Sequence, residues 1–324
     1  MVLTIIFTNM KMIVMLPRRL ALTTVALTVL VAVSGCSYGS EAGAGGTGRL
    51  QVVASFYPLQ WVTAEVAGNQ ADVGSLTKPG AEPHDLELTP RDVATVADAD
   101  LVVYLGGFQP AVDDAVDQEA GNRALDVAKA ADLSLKYTPI EEGEQHSEEA
   151  GSTDPHFWLD PLRLSHVVGL VADRLGRLDP THAQEFRRNA ADLRARLRTL
   201  DWEYRSGLAH CANPDLVTSH NAFGYLAQRY GLTQVGITGL TPDQEPKPGD
   251  LAAITSFVRT HDVRTIYYET LVSPAIAQTV AAETGANTEV LDPIEGLTKD
   301  SQGRDYLQVM RANLANLRRG QPCT

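Results

Sequence analysis

A repeated alternation of short strand-like runs with helical segments is the feature that most constrains how this chain can fold. Strand-like runs recur in both halves of the sequence, at 50–55, 71–76, 101–105, 215–219, 234–238, 265–268 and 288–291. Helical segments separate them, for example at 90–97 and 248–259. Because strands that alternate with helices form parallel sheets through βαβ connections, the pattern predicts an α/β fold with two lobes, each a mainly parallel sheet flanked by helices.

The clearest single helix is predicted between the two halves, at residues 181–208. Apolar side chains recur there every three or four residues, and no Gly or Pro interrupts residues 181–206. At 1.5 Å per residue this stretch would extend about 39 Å, enough to join two lobes as one rigid linker. A coiled-coil partner helix is the alternative, but so short a stripe favours packing within the chain. The linker divides the folded body into an N-terminal lobe at 50–180 and a C-terminal lobe at 209–324.

The N-terminal segment has the features of an export signal. Residues 1–35 contain no Asp or Glu and include a mostly apolar run at 20–33. That run is shorter than the about 20 residues of a bilayer-spanning helix, but it fits the core of a signal peptide. The letters VSGC that follow resemble the lipobox of bacterial lipoproteins, in which the cysteine, here Cys36, carries the lipid. We predict a lipoprotein signal peptide at 1–35 and a flexible tether at 36–49. An ordinary signal peptide is the alternative, and Met15 is a second candidate start.

Charge and cysteine content narrow the choice of partners. The chain carries 27 Lys and Arg against 40 Asp and Glu, a net charge of −13. A chain of this charge without a basic face does not suit nucleic acid, whose phosphates must be neutralised. It also lacks a basic amphipathic helix, so we expect membrane contact through the lipid anchor only. Export permits disulfides, and with Cys36 lipidated the remaining pair, Cys211 and Cys323, is predicted to bond; two free thiols are the alternative.

The histidines are the candidates for chemistry, because the sequence has no nucleotide-binding, zincin or α/β-hydrolase motif. His84 lies in a turn-rich loop after a strand, and His156 lies between two Asp-Pro steps. His220 and Asp292 each follow a strand directly, at the carboxyl end where open α/β sheets bind ligands. A single loop histidine is more often an ordinary hydrogen-bonded residue, so spacing alone does not establish a shared metal site.

Five segments together resemble the cluster A-I (cluster 9) substrate-binding lipoproteins of zinc and manganese ABC transporters: GAEPHDLELTPRD, DPHFWLDP, VTSHNAFGYLAQRYGL, YYETLVSPAIAQTVAAETGA and VLDPIEGL. They occur in the family order, and the resemblance runs from residue 50 to the C-terminus. It implies a metal ion in the cleft between the lobes, bound by His84, His156, His220 and Asp292. Three imidazoles and one carboxylate suit tetrahedral Zn²⁺, and Mn²⁺ stays the alternative cargo.

The same resemblance implies a binding protein rather than an enzyme. It would capture Zn²⁺ outside the cytoplasmic membrane, anchored there by lipid, and deliver it to an ABC permease; we further expect a monomer. Two glutamates are expected beside the site, Glu82 as an extra oxygen near His84 and Glu269 as an acceptor that orients a ligand histidine. Two other functions stay open: a secreted zinc hydrolase that uses the three histidines, and a metal-dependent surface adhesin.

Residues 139–153 form an acidic insert with five glutamates around His146. A solvated surface loop is the simpler interpretation, and a weak metal-collecting arm is the sharper one. Zinc-type members of the family often carry a longer, His-rich loop at this place. A single histidine here does not favour a second, loop-borne metal site.

Overall fold

The computed structural model of the protein describes residues 48–139 and 149–324. The predicted signal peptide, the lipidation site Cys36, nearly all of the tether and His146 lie outside the described residues. Within the described part, no helix is both long enough and apolar enough to cross a membrane. The described residues belong to one compact unit.

Helices and strands alternate along the described residues as the sequence pattern predicts. In chain order they are β1 (Leu50–Ala54), α1 (Tyr57–Ala67), β2 (Ala71–Ser75), α2 (Pro90–Asp98), β3 (Leu101–Tyr104), α3 (Pro110–Ala115), β4 (Ala124–Asp126), α4 (Ala128–Ala131), α5 (Pro161–Leu178), α6 (Ala183–Gly207), β5 (Asp215–Thr218), α7 (Gly224–Tyr230), β6 (Thr233–Gly236), α8 (Pro248–Thr260), β7 (Thr265–Tyr268), α9 (Ala275–Thr284), β8 (Asn287–Val290) and α10 (Tyr306–Gly320). Proline begins α2, α3, α5 and α8, where its missing N–H costs no helical hydrogen bond.

Each half of the chain builds one four-stranded parallel sheet. The strand order is β2-β1-β3-β4 in the first sheet and β6-β5-β7-β8 in the second. The first strand of each half is an inner strand, so the chain crosses over and leaves a switch point at the carboxyl ends of two neighbouring strands. This topology confirms the predicted α/β fold with two parallel sheets. The edge strand β4 has three residues and was not among the predicted strands.

Helix α6 links the two sheets and lies close to the predicted 181–208, since it runs from Ala183 to Gly207. Its 25 residues extend about 37 Å. Its apolar stripe is buried, and it packs against α1, α5 and α10. At its C-terminal end the Tyr204 hydroxyl donates to the Met310 carbonyl oxygen at 2.6 Å. The linker is therefore part of the core on both sides, which limits bending between the two sheets.

The segment 154–161, just before α5, carries His156 between the two halves. The Trp158 indole N–H donates to the Pro293 carbonyl oxygen at 2.7 Å. The Tyr306 hydroxyl of α10 donates to the Trp158 carbonyl oxygen, and the indole is fully buried. Although it belongs to the N-terminal half, this segment is held by hydrogen bonds from the C-terminal half.

The predicted disulfide between Cys211 and Cys323 is confirmed, and it joins residues separated by 112 positions. Next to it, the Ala212 backbone N–H donates to the Gln321 carbonyl oxygen at 3.1 Å. The chain after α10 is thereby fixed to the segment that leads into β5, at the end of the linker helix.

The C-terminal end of the acidic insert contacts the other half of the molecule through Glu149. Its carboxylate accepts hydrogen bonds from the backbone N–H groups of Leu240 and Thr241 at 2.6 and 3.2 Å. The Thr241 hydroxyl and the Gln244 amide donate to it at 2.7 and 3.0 Å. Glu149 therefore bridges the two halves at the loop that follows β6.

Candidate metal centre

Four side chains converge between the two halves: His84, His156, His220 and Glu295. Each offers one ligand atom, and these atoms all lie within 4.8 Å of one another. Glu295 and His156 are fully buried, His220 is almost so, and the His84 side chain keeps 7% of its exposure. The cluster is therefore shielded from solvent on every side except that of His84.

The spacing of these atoms matches a tetrahedral zinc site. The Oε1 atom of Glu295 lies 3.4, 3.2 and 3.5 Å from the Nε2 atoms of His84, His156 and His220. The Nε2 atoms of His84 and His156 are 3.3 Å apart. In a tetrahedron with metal–ligand bonds of 2.0–2.1 Å, ligand atoms are separated by about 3.3–3.4 Å. These four distances are close to those that one tetrahedral Zn²⁺ ion requires, and the remaining donor pairs lie within 4.8 Å.

Three of these residues lie in loops at the carboxyl ends of strands, and His156 lies in the segment before α5. His84 lies in the loop between β2 and α2, and His220 lies just after β5. His156 begins a short 3₁₀ turn at Phe157–Leu159, and Glu295 lies in the loop after β8. Three of the four positions are those that the sequence analysis selected, and the fourth is different.

The structure corrects the fourth position, because Asp292 lies outside the cluster that contains Glu295. The Asp292 carboxylate accepts hydrogen bonds from the Ile294 backbone N–H, the Thr270 hydroxyl and the Ser301 hydroxyl, at 2.8, 3.1 and 2.9 Å. By contrast, apart from the three histidine Nε2 atoms within 3.5 Å, neither carboxylate oxygen of Glu295 meets a hydrogen-bond donor among the described residues. A buried carboxylate without donors is costly unless a cation or charged group compensates it, which is the condition expected of a metal ligand.

Asp292 instead shapes the turn that presents Glu295. Between them Ile294 has a φ of 59°, a left-handed conformation that is unfavourable for a β-branched residue. The hydrogen bond from its N–H to Asp292 helps to hold that turn. Sequence reasoning chose the first carboxylate after the strand; the signal it passed over is the glutamate three residues further on, beyond an Asp-Pro step.

Carboxylates behind two of the histidines fix which ring nitrogen faces the cluster. Glu269 accepts hydrogen bonds from the Nδ1 of His220 at 2.6 Å and from the Ser219 hydroxyl at 2.8 Å. Asp154 accepts from the Nδ1 of His156 at 2.8 Å. Because an ionised carboxylate can only accept, each ring donates its Nδ1–H and directs Nε2 toward Glu295. Sequence reasoning singled out Glu269 for this position but not Asp154.

The ionisable side chains of the cluster shift one another's pKa values. Burial alone would raise the pKa of Glu295, but the three histidines outweigh it and hold the pKa well below its ordinary value. Burial would lower the pKa of His220, but the Glu269 and Glu295 carboxylates raise it well above its ordinary value. Burial lowers the pKa of His84. The metal-free centre therefore favours an ionised Glu295 facing a protonated His220.

Glu82 lies beside the cluster rather than in it. Its Oε1 accepts a hydrogen bond from the His84 backbone N–H at 2.9 Å and lies 4.0 Å from the His84 Nε2. Burial and the neighbouring Glu295 charge raise the pKa of Glu82 to about 9. The charged form of Glu82 is therefore disfavoured, and its carboxyl group supports the backbone of His84.

Comparison with known proteins agrees with this geometry. Residues 52–320 match the model of the family described as "ZnuA: Zinc-uptake complex component A periplasmic". The chain belongs to this family. It is a family of transport binding proteins, not of enzymes.

Several relatives of the family are similar over most of this chain. The high-affinity zinc uptake system protein ZnuA of Bacillus subtilis is 35% identical over 277 residues, which cover 83% of this chain and 87% of that protein. The zinc-binding protein AdcA of Streptococcus pyogenes serotype M18 is 36% identical over 84% of this chain. This chain spans only 56% of the length of that streptococcal protein.

A solved structure of the family has the same fold and was determined with metal. The Zn(II)-bound ZnuA-like domain of AdcA from Streptococcus pneumoniae superposes with a TM-score of 0.69 at 35% identity. The match covers 85% of this chain and 99% of that domain.

Proposed function

We propose that this protein captures Zn²⁺ between its two lobes and hands it to the permease of an ABC uptake system. The observation that carries the proposal is the convergence of His84, His156, His220 and Glu295, in which the Glu295 Oε1 lies 3.2–3.5 Å from the three Nε2 atoms and its carboxylate meets no other donor among the described residues. The zinc uptake role of the Bacillus subtilis relative, which this chain covers almost fully, supports the same assignment.

The donor set favours Zn²⁺ over Mn²⁺. Imidazole nitrogen suits zinc, whereas manganese is better served by carboxylate, carbonyl and water oxygens in octahedral geometry. Three of the four donor atoms here are imidazole nitrogens. Mn²⁺ is therefore the weaker cargo, and competition between the two metals measures the difference.

Glu295 separates the binding function from the hydrolase alternative. A catalytic zinc site keeps three protein ligands and leaves the fourth position open to water. In this centre Glu295 stands at the fourth corner, within 3.5 Å of all three histidine Nε2 atoms. A closed set of four protein ligands favours holding the ion over activating water on it.

The location and the partners follow from the resemblance and the relatives. A relative in Streptococcus pneumoniae is named a zinc-binding lipoprotein, and the VSGC sequence ending at Cys36 would give this chain a lipid anchor as well. We therefore propose an extracytoplasmic, lipid-anchored monomer that works beside an ABC permease. The adhesin alternative stays a prediction that none of the contacts above favours.

Zinc titration of the purified protein tests the proposed function. We expect one Zn²⁺ per chain. His84→Ala, His156→Ala and His220→Ala should each weaken zinc binding by more than about 10–100-fold, the usual loss when a residue that only hydrogen-bonds a metal ligand is replaced. His261→Ala is the matched control, since His261 pairs with Asp215 outside the cluster. Equal losses in the control, or wild-type protein that does not bind zinc, would refute the site.

Transport requires a separate measurement in cells. Deletion of the gene should slow uptake of radioactive zinc at limiting concentration. Wild-type protein should restore uptake, and the His156→Ala variant should not. Restoration by both would show that the cluster is not the transport site.

A further inference from the structure

Behind His156, Asp154 of the N-terminal lobe contacts helix α7 of the C-terminal lobe. The four zinc ligands do not themselves require this contact. Asp154 is 4% exposed, and its Oδ1 accepts from both the backbone N–H and the Nδ1 of His156, at 2.9 and 2.8 Å. The second oxygen of the same carboxylate faces the other lobe, toward the first turn of α7. Helix α7 is the helix that follows the ligand His220.

Glycine at position 224 makes the close approach of α7 feasible. A Cβ built on Gly224 would lie 2.5 Å from the Oδ2 of Asp154, well inside van der Waals contact. The φ of Gly224 is not positive, so the backbone itself does not demand glycine there. The next residue, Tyr225, donates its hydroxyl to the Asp154 carbonyl oxygen at 3.0 Å. The start of α7 is therefore fitted against Asp154 from two directions.

We propose that Asp154 is the positioning residue that orients the His156 ring. Gly224 has no side chain and so leaves room for the Asp154 carboxylate in the position from which it binds His156. The C-terminal lobe, through α7, then controls the orientation of a metal ligand in the N-terminal lobe. This rests on the proposed zinc capture, because it concerns how one of the zinc ligands is held. Asp154 would act through His156 and would not touch the ion.

A cavity beside Asp154 and Gly224 leaves room for the Asp154 carboxylate to move when residue 224 is enlarged. Asp154 and Gly224 both line a cavity of about 270 Å³ between the base of the acidic insert and α7. A side chain larger than glycine at 224 would press on Oδ2, and the carboxylate has this space into which to rotate. Rotation would break its hydrogen bond with the Nδ1 of His156 and release the ring, while the fold around it is kept.

The first experiment compares zinc affinity, by competition with a chromophoric chelator, in wild type, Asp154→Asn and Asp154→Ala. Outer-layer partners of metal-bound histidines typically contribute 10–100-fold, so Asp154→Ala should weaken zinc by about that factor. Asp154→Asn keeps an acceptor oxygen and should recover most of the loss. Binding by Asp154→Ala within about threefold of wild type, at an unchanged melting temperature, would overturn the proposal.

The second experiment tests the contact from the other lobe. Gly224→Ala should weaken zinc by about tenfold or more, although alanine is the better helix former. Gly249→Ala is the matched control, because Gly249 lies in the first turn of α8 and its Cβ would meet nothing within 4 Å. In an Asp154→Ala background Gly224→Ala should cost no further affinity, since the carboxylate it displaces is gone. Equal, additive losses in both backgrounds would overturn the role given to Gly224.

A spectroscopic readout separates this proposal from the proposed function. The Nδ1–H proton of His156, assigned by its loss in His156→Ala, should appear as a hydrogen-bonded NMR signal in wild type and Asp154→Asn. It should be absent from Asp154→Ala and Gly224→Ala. If wild type fails to bind zinc but this pattern holds, zinc capture is refuted and the positioning contact stands. If zinc binds and the signal is unchanged in Asp154→Ala, the positioning role is refuted alone.

Discussion

The identity of the fourth ligand can be decided by exchanging each of two nearby carboxylates for its amide. Glu295→Gln and Asp292→Asn keep size and shape but remove the charge. Glu295 has its Oε1 3.2–3.5 Å from three histidine nitrogens and meets no other hydrogen-bond donor among the described residues. Asp292 has three donors of its own. The two variants should therefore fail in different ways.

The expected magnitudes follow from linkage between binding and folding. At a free zinc concentration of about 1,000 times the Kd, binding stabilises the folded protein by about 4.1 kcal/mol. If Glu295→Gln weakens zinc by about 100-fold, only about 1.4 kcal/mol of that remains. The difference of about 2.7 kcal/mol corresponds to a zinc-induced rise in Tm that is smaller by about 5 °C or more. Asp292→Asn should lower the free energy of unfolding by about 1–3 kcal/mol, with and without zinc alike.

Thermal melting of wild type and both variants, with and without zinc, measures both quantities at once. We expect Glu295→Gln to lose most of the zinc-induced shift and Asp292→Asn to keep it on a lowered baseline. A Glu295→Gln protein with the full zinc shift, together with an Asp292→Asn protein without it, would refute the assignment of Glu295. In that case the strand-end carboxylate would be the ligand.

Three further predictions concern the disulfide, the pH response and the acidic insert. Replacing Cys211 and Cys323 by serine should lower the free energy of unfolding, measured in urea, by up to about 4.7 kcal/mol, the chain-entropy value for a loop near 100 residues; an unchanged midpoint would contradict it. Burial opposes the charged form of His220, but Glu269 outweighs it and raises the pKa. Zinc must displace that proton, so affinity should rise as pH increases through and above the ordinary histidine range, and a flat profile would contradict this. The proton on His220 stabilises the metal-free fold fully below its ordinary pKa, and this contribution is lost as pH rises through the raised value. Glu149→Ala leaves two backbone N–H groups without their acceptor and should lower the free energy of unfolding by about 1–3 kcal/mol, whereas a melting temperature equal to wild type would show the bridge to be unimportant.

The parts of the fold that were predictable are those set by local pattern. Strands that are buried on both faces, such as β3, have short apolar sequences that can be recognised directly. Helix α6 has an apolar stripe that no glycine or proline interrupts. The edge strand β4 has only three residues, none of them fully buried, so its sequence gives little pattern to detect. Its position is set by pairing with Val102 to Tyr104 of β3, which is a long-range interaction.

The site was predictable where strand ends fix a side chain directly and not where a strained turn intervenes. His220 follows β5 at once, and the carboxyl ends of parallel strands bring such residues together. Glu295 depends on the left-handed conformation of Ile294, which local preference opposes; the turn is held by the bond from Ile294 to Asp292 and by the long-range bond from Trp158 to the Pro293 carbonyl. Asp154 was passed over for a related reason, because its importance lies in a contact with α7 that the sequence does not reveal.

The contacts around the segment that carries His156 also bear on how the metal is exchanged. Separating the lobes would break the hydrogen bonds of Trp158 with Pro293 and Tyr306, each worth about 0.5–1.5 kcal/mol net, and would expose an indole that is now fully buried. His84 is the one ligand that retains some exposure, and it lies in the loop between β2 and α2. Movement of that loop would leave the bonds of Trp158 intact, although it would strain the buried bond from the Gln109 amide to the Pro83 carbonyl. The bonds of Trp158 therefore oppose rigid opening of the two lobes as the route of exchange.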